Sequence, residues 1–561
     1  MRPRSAGSSR ISKWLLPLRA EAAISTASPL KGIGALLAAA TLSDPTGAAV
    51  ASAGGSCEGR APVIRLPETA SDSDVLQLTA LLNSSLVCFW LKQYSNSKGQ
   101  PRAEQTGTGE PWTLFYEFTS TRLAELPLPP DPWSGDRWSV NAGQLDKLTL
   151  ELSSADPRFL LGTGSTPTGA DLDAARAHWE KAHARLISLQ EELDWEIYVR
   201  YGLAAEADGL LAPEEGIPDL MAGERAFELL LARRLASGQA RSTWFERHDV
   251  TPITDLPSHW PALYRQVVEN RIEAIERRPN IGLVERPEFK RRWAGVSWES
   301  REKDAVKNWL LGRCEDQALW YETAWDDKPR PKPMTIGALA EQLSNDQACV
   351  AMASRYMGDD ADPSEVIYEI IQNQYVPYLA ALRYSDSGLR KRMQWEQTWD
   401  QQRQEDAIGS LPGIPVPPKY APSDFLKPEY WRQRGKYDVP NERFISYPPA
   451  SVSKEMIIGW AGWNLAERAQ VLMDLIEDRK RSGRDGIQSI VPLLAGLLEL
   501  LPWLWQWHSA TELPLWQESP ADAAQAYLEN EQAHRGLSSA DLIAWRPPKP
   551  KRGRPPKARI F

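Results

Sequence analysis

An α+β fold, predominantly helical, is what the sequence predicts, and three observations predict it. Apolar residues recur at threes and fours over most of 171–507, the clearly extended runs are short and bounded by proline, and glycine- and proline-rich stretches cut the chain into modules. The resulting order starts with a disordered leader at 1–58 and a small mixed α/β domain at 61–165. A long spacer helix at 171–203, a helical domain at 204–410, a C-terminal helical domain at 411–545 and a basic tail at 546–561 follow.

Of the 561 residues, 42% are hydrophobic and 25% charged. These are ordinary globular values for a chain long enough to form two to four domains. Cys57, Cys88, Cys314 and Cys349 stand far apart without a Cys-x-x-Cys pair, which argues against a disulfide framework or zinc knuckle and fits a reducing cytoplasm. The six histidines form no metal-binding spacing; His178 and His183, five apart, read as surface residues. Charge is uneven. The chain totals −9, but 546–561 carries seven basic residues and no acid, which leaves −16 elsewhere. An acidic body with a basic arm is the asymmetry of a protein that meets a polyanion.

The leader is rich in Ala, Ser and Gly, and its apolar run Ile33–Ala40 lies too far from the early arginines to read as a signal peptide. Pro62–Pro67 reads as a short strand, and Asp72–Leu82 as a helix capped by Ser71 or Asp72. Phe89–Tyr94 continues that helix or turns back as a strand, and 95–111 is a loop. The clearest element is 171–203. Leu172, Trp179, Leu186, Leu189, Leu193 and Ile197 form its stripe, Glu180, Lys181, Arg185, Glu191 and Glu192 its wet side, Thr168 its cap and Gly202 its stop. At about 45 Å it serves as a spacer between modules or as a plain bundle helix. Helices follow over 223–236, 260–278, 364–382, 389–403 and 454–481. Ile487–Trp507 is apolar enough to raise a membrane span, but Pro492, Glu499, Pro502 and Gln506 interrupt it, and a buried helix pair packed by Trp503, Trp505 and Trp507 fits better.

Function is carried by resemblance. An Asn83-Ser84-Ser85 step leads into Val87–Lys92, and the run Phe115–Thr119 closes on Leu126-Pro127-Leu128-Pro129. This stretch resembles the DNA-specificity region of adenine-modifying restriction-modification methyltransferases, which makes 61–165 target-recognition-like. A closer likeness lies downstream in Leu189–Trp195 with Tyr198 and Tyr201–Leu203, in Arg277–Trp293, and in Tyr378–Arg392. It is most specific in Pro417-Pro418-Lys419-Tyr420 through Asp424–Pro428, Tyr430–Lys436 and Arg443–Pro448. These segments resemble the PglX family of adenine-specific methyltransferases from type 2 BREX (phage growth limitation) defence systems, over about 61–545. The likeness covers the carboxyl-terminal half of such an enzyme. It implies double-stranded DNA as partner, together with a catalytic methyltransferase half or other defence proteins, and S-adenosylmethionine as cofactor of the full-length enzyme but none held by this chain.

The family's Asn- or Asp-Pro-Pro-aromatic tetrad, which holds the extruded adenine, is missing. Pro129-Pro130 follows Leu128, Pro417-Pro418 follows Val416, Pro448-Pro449 follows Tyr447, and the remaining pairs lie in the tail. Gly162-Thr163-Gly164 lacks the strand–loop–helix setting of a cofactor turn. No catalytic, cofactor-binding or metal residue is therefore assigned.

The candidate DNA-binding residues are Lys290, Arg291 and Arg292, then Arg390, Lys391 and Arg392, then Arg432, Arg434, Lys436 and Arg443. Guanidinium groups suit phosphates, and the interleaved Trp293, Trp395, Tyr430 and Trp431 offer rings to sugar or base; a solvated charge run beside core aromatics is the alternative. In the tail, Arg552-Gly553-Arg554 with Lys557 resembles an AT-hook, in which glycine lets the backbone lie on an A·T minor groove; a generic basic arm is equally open. The reading that results is the DNA-binding, target-recognition portion of an adenine-specific methyltransferase, cytoplasmic and without a membrane span. The alternative is a helical scaffold that docks other defence proteins and touches DNA only through its tail.

Overall fold

In the computed structural model, Thr168 opens the longest helix among the described residues, Gly169–Arg200. The structure describes residues 71–97, 116–118, 120–129, 136–162, 168–291, 293–323, 329–358, 360–409, 413–433, 442–449, 455–483, 486–510 and 519–548. The leader, the 62–67 strand and the AT-hook-like tail therefore lie outside the described residues. The chain divides into two units that part at residue 305, not into the modules that composition suggested.

In the first unit, α1 (Asp72–Leu82) and α2 (Ser85–Tyr94) each start on a serine. Ser71 and Asp74 cap α1 reciprocally, and the Ser84 side chain accepts from the Val87 N–H at 3.2 Å. Asn96–Ser97 pairs antiparallel with Tyr116–Glu117. Then come α3 (Asp136–Ser154), α4 (Gly169–Arg200), α5 (Ala226–Ala236) and α6 (Ala262–Arg277), and α7 (Trp298–Cys314) runs through the division at residue 305. Between 71 and 162 the regular structure of the described residues is helical apart from that two-residue ladder and a single bridge residue at Pro127, so the mixed α/β character expected there is slight.

The caps of α4 are the expected ones. Thr168 and Asp171 form a capping box. At the other end Gly202 takes φ +70°, with Leu203 N–H donating to the Tyr198 carbonyl and Gly202 N–H to that of Val199, both at 2.9 Å. This doubled bond satisfies two orphan carbonyls and needs a residue at ease in the left-handed region. The role of the helix differs from expectation. Residues 186–195 are all buried, and α4 supplies residues to three apolar clusters: Ile187, Trp195 and Tyr198 to one, Leu193 and Ile197 to a second, Trp179 to a third. It is the axis of the first unit rather than a spacer. Glu191 and Glu192, assigned to the wet side, are buried because each meets a cation. Arg271 of α6 grips both Glu192 oxygens at 2.7 Å. His183 is likewise no surface residue: it stacks on Trp179 and donates from Nε2 to the Trp293 carbonyl at 3.0 Å, and burial pushes its pKa down to about 4.

The second unit is built on a four-stranded sheet. Its strands are β1 (Met334–Thr335), β2 (Tyr375–Pro377), β3 (Phe444–Tyr447) and β4 (Ile457–Trp460), in the order β1-β4-β3-β2. Only β2 and β3 run parallel. The central β3 is buried at every residue, as a strand covered on both faces must be. Because β1 and β2 come from before residue 410 and β3 and β4 from after it, the expected boundary there does not exist. The expected helices at 364–382 and 454–481 are each interrupted by a strand, since a short apolar run such as Ile457-Ile458 has no periodicity that separates helix from strand.

Four helices complete the parts needed below: α8 (Asp386–Ile408), α9 (Leu465–Arg481), α10 (Ile487–Trp507) and α11 (Pro520–Arg535). The apolar 487–507 stretch is one helix with Pro492 and Pro502 inside it, not a pair. It is long and apolar enough to cross a bilayer, yet half of it is buried within the protein. Gly496 gives the Tyr378 ring its place: a Cβ there would lie 2.7 Å from that ring.

Removing the guanidinium of Arg271 would strand Glu192 in a dry core. Arg271→Ala is expected to destabilise the first unit by about 3–5 kcal/mol; urea unfolding followed by tryptophan fluorescence measures it, and a loss below ~1 kcal/mol would contradict this account of α4.

Candidate nucleic-acid interface

The start of α8 and the segment 413–432 of the second unit fold onto each other, and Asp424 organises the joint. Its carboxylate accepts from the Lys391 ammonium at 2.7 Å, the Ser387 hydroxyl at 2.8 Å and the Ala421 N–H at 2.7 Å. Burial works to raise its pKa, but these donors hold it below the usual carboxylate range. Its backbone carbonyl takes the Ser385 N–H at 2.9 Å. Gly388 sits where a Cβ would overlap that carbonyl oxygen, so only glycine lets the helix come this close. Trp395 adds a bond from its indole N–H to the Pro418 carbonyl at 2.8 Å. Beneath the joint, Tyr384, Phe425 and Tyr430 form a buried aromatic cluster with Leu389, Tyr420 and Trp431 against it.

The surface of this lobe is basic. Arg390, Lys419, Lys427 and Arg432 are exposed, and Arg390 and Arg432 make no ion pair among the described residues. Lys427 stands over the Tyr430 ring at 5.6 Å. Lys391 is committed to Asp424, and its ammonium also donates to the Lys419 carbonyl at 3.0 Å, which fixes the lysine-bearing loop to the helix. Arg392 turns away from the lobe to Glu396 at 2.9 Å and Glu499 at 3.5 Å. Burial works against its charge, and those carboxylates more than offset it, raising its pKa. Arg443 is paired with Glu315. Arg292, Arg434, Lys436, Arg552, Gly553, Arg554 and Lys557 lie outside the described residues.

The first-unit cluster needs correction. Lys290 is 2% exposed and cannot reach a phosphate. Its ammonium lies 3.0 Å from Glu191, 3.0 Å from Asp194 and 2.9 Å from Glu285. Burial opposes its charge, but three carboxylates raise its pKa instead. Asp194 also accepts from the Ser85 N–H at 2.8 Å, and the Ser85 hydroxyl bonds to it as well. The Asn83-Ser84-Ser85 step is therefore a helix cap and a core anchor. Glu285 takes the Tyr198 hydroxyl at 2.6 Å. Three acids around one lysine are too many to ionise together. Burial pushes Glu285 up to about 7 despite Lys290, whereas Lys290 and Arg271 overcome burial at Glu191 and hold it down to about 2. Arg291 is half-buried, with its pKa lowered by burial and by Arg247.

Sequence reasoning missed Lys419, Lys427 and the organising Asp424. Lys419 and Lys427 flank the Tyr420–Phe425 stretch singly and so escape a search for basic runs; Gly388, between Asp386-Ser387 and Leu389 ahead of the basic run, was the available signal for a close contact. Among the described residues no group of three or more His, Cys, Asp or Glu is arranged to hold a metal. Gly162 ends a short helix, and the rest of the Gly-Thr-Gly turn lies outside the described residues. A cleft in the first unit, lined by Thr79, Asn83, Ala142, Gln190 and Trp293, has a volume of about 30 Å³, the scale of a water rather than a nucleoside.

Comparison with known proteins adds the family. Residues 186–556 match a family described as a domain of unknown function, DUF7008. The chain is 43% identical over 502 residues, 87% of its length, to the adenine-specific methyltransferase PglX of Streptomyces coelicolor. The resemblance read from the sequence is thus upheld. The chain spans 40% of that relative's length. No solved structure matches.

The buried acids give a pH signature. Between about pH 4.5 and 7 the folded chain holds a proton on Glu285 that the unfolded chain has released, so this group's contribution is full at low pH and lost as pH rises through 7. Glu285→Gln imitates the protonated form. Its melting temperature relative to the parent is expected to be higher at pH 8.5 than at pH 5; the same difference at both would contradict a protonated Glu285.

Proposed function

Since the chain belongs to the DUF7008 family, and a methyltransferase relative contains the same region, we propose that it is the DNA-binding, target-recognition portion of an adenine-specific DNA methyltransferase of a BREX-type phage-defence system. The observation that carries this is the basic lobe of the second unit, where Arg390, Lys419, Lys427 and Arg432 are exposed on a rigid aromatic base in a chain of net −9. Exposed cations that make no ion pair among the described residues, in a protein of net negative charge, are available to a polyanion, and a duplex phosphate backbone is one.

In this reading the lobe grips phosphates and fixes the register of the duplex, while base edges are read by neighbouring side chains. The tail at 546–561 adds a second, AT-hook-like arm that lies in the minor groove. Transfer of the methyl group, with S-adenosylmethionine, belongs to the part of the relative that lies outside the matched region. The setting is the cytoplasm, where the host DNA is.

Charge reversal tests the lobe directly. In the full chain, Arg390→Glu with Arg432→Glu is expected to weaken binding to a duplex of about 30 base pairs at least tenfold. It should also flatten the slope of log K against log salt by about 2, one for each lost phosphate contact. Fluorescence anisotropy at several salt concentrations measures both; an unchanged slope would leave DNA contact to the tail and favour the scaffold alternative.

A further inference from the structure

Helix α8 has two ends of opposite chemistry. Its first turns carry Asp386 and then Arg390, Lys391 and Arg392, whereas the later turns carry Glu396, Asp400, Glu405 and Asp406 against Arg403. Its 23 residues separate the two ends by about 34 Å. Gly388 is its sole buried residue, so core packing does not account for the helix's length. A helix so solvated is kept for what its ends meet.

The acidic end carries aromatic rings that are held but not covered. Trp399 meets Trp503 of α10 edge-on, with centroids 5.5 Å apart. Arg403 lies over Trp503 at 4.5 Å, donates to Gln506 at 2.9 Å and to Asp400 at 2.8 Å. Trp399 nonetheless remains 39% exposed, Trp507, one turn beyond Trp503, 65%, and Ile408 69%. Rings fixed before binding lose little entropy on docking, and tryptophan is the residue most enriched at energetic centres of interfaces. Glu396 is paired with Arg392 and Asp400 with Arg403, but Glu405 and Asp406 take only the amide of Gln402 among the contacts of the described residues. The edge of the patch therefore stays acidic and suits a protein surface with an apolar centre and basic edge better than a polyanion.

We propose that this tryptophan-bearing end of α8 and α10 docks the methyltransferase portion that the Streptomyces coelicolor relative carries outside the matched region. The proposal rests on the reading of the chain as the DNA-binding portion of such an enzyme. The relative's length is its further support: 60% of that protein lies beyond what this chain spans, which supplies a large neighbour in the same polypeptide for an open face to pack against. Helix α8 would then be a strut, with DNA at its basic end and the catalytic portion at its acidic end.

The test titrates the remaining length of the Streptomyces coelicolor protein, once S-adenosylmethionine binding shows it folded, into the full chain by calorimetry. The unaltered chain should bind, and Trp399→Ser with Trp507→Ser should weaken binding at least tenfold while the variant still melts cooperatively and keeps its duplex affinity. Arg390→Glu with Arg432→Glu should leave this titration as it is; if that variant also keeps its duplex affinity, the DNA reading fails while the docking surface stands. No binding by the unaltered chain, or equal binding by the tryptophan variant, overturns the proposal. So does self-association that the tryptophan variant abolishes, which would assign the face to a second copy. Loss of duplex affinity in that variant would assign it to nucleic acid and overturn it too.

Discussion

A single ammonium group fixes the first unit. Lys290 draws Glu191 and Asp194 of α4 and Glu285 of its own segment to within 3.0 Å, and through Asp194 it reaches the start of α2 at Ser85. Three stretches of chain, around residues 85, 194 and 290, are thereby tied at one buried point. Breaking such a cluster by removing one partner costs several kcal/mol, because the groups left behind cannot recover their water. The cluster is also directional: apolar contacts tolerate sliding, but these ion pairs and hydrogen bonds form in one register of α4. Arg271 with Glu192, and Arg225 with Glu228 at 2.8 Å, repeat the device nearby.

The buried cluster explains where reading the sequence worked and where it stopped. Thr168 and Gly202 could be placed because caps act within a few residues of themselves. Glu191 and Glu192 were misplaced because the pattern of a helix tells which residues are polar, not whether a cation from 80 or 100 residues away will meet them. Lys290-Arg291-Arg292 looked like a phosphate grip for the same reason. In the second unit the β-strands at 375–377 and 457–460 are too short to show a period, so their partners across the sheet, not their own residues, decide their state. Of the candidate site, Arg390 and Arg432 were legible as exposed cations, whereas Lys419 and Lys427 become part of the lobe only through the fold that Asp424 closes.

The two units thus use charge in opposite ways. In the first, cations are consumed by carboxylates inside the core and contribute order. In the second, Lys391 and Arg392 are spent on Asp424, Glu396 and Glu499, which stiffens the platform on which Arg390, Lys419, Lys427 and Arg432 remain available. A rigid base matters for DNA recognition, since each contact to phosphate is weak in salt and binding depends on several acting in register. The same helix that begins in this lobe ends among acids and open tryptophans, so one element of about 34 Å separates the two kinds of surface.

The most direct test of this division of labour is hydrogen–deuterium exchange of the full chain with and without a saturating duplex. The account predicts slowed exchange at 383–392 and 419–432, with the core around 285–293 unchanged because Lys290 is already buried. Protection at 285–293, or protection confined to the tail beyond 545, would contradict it.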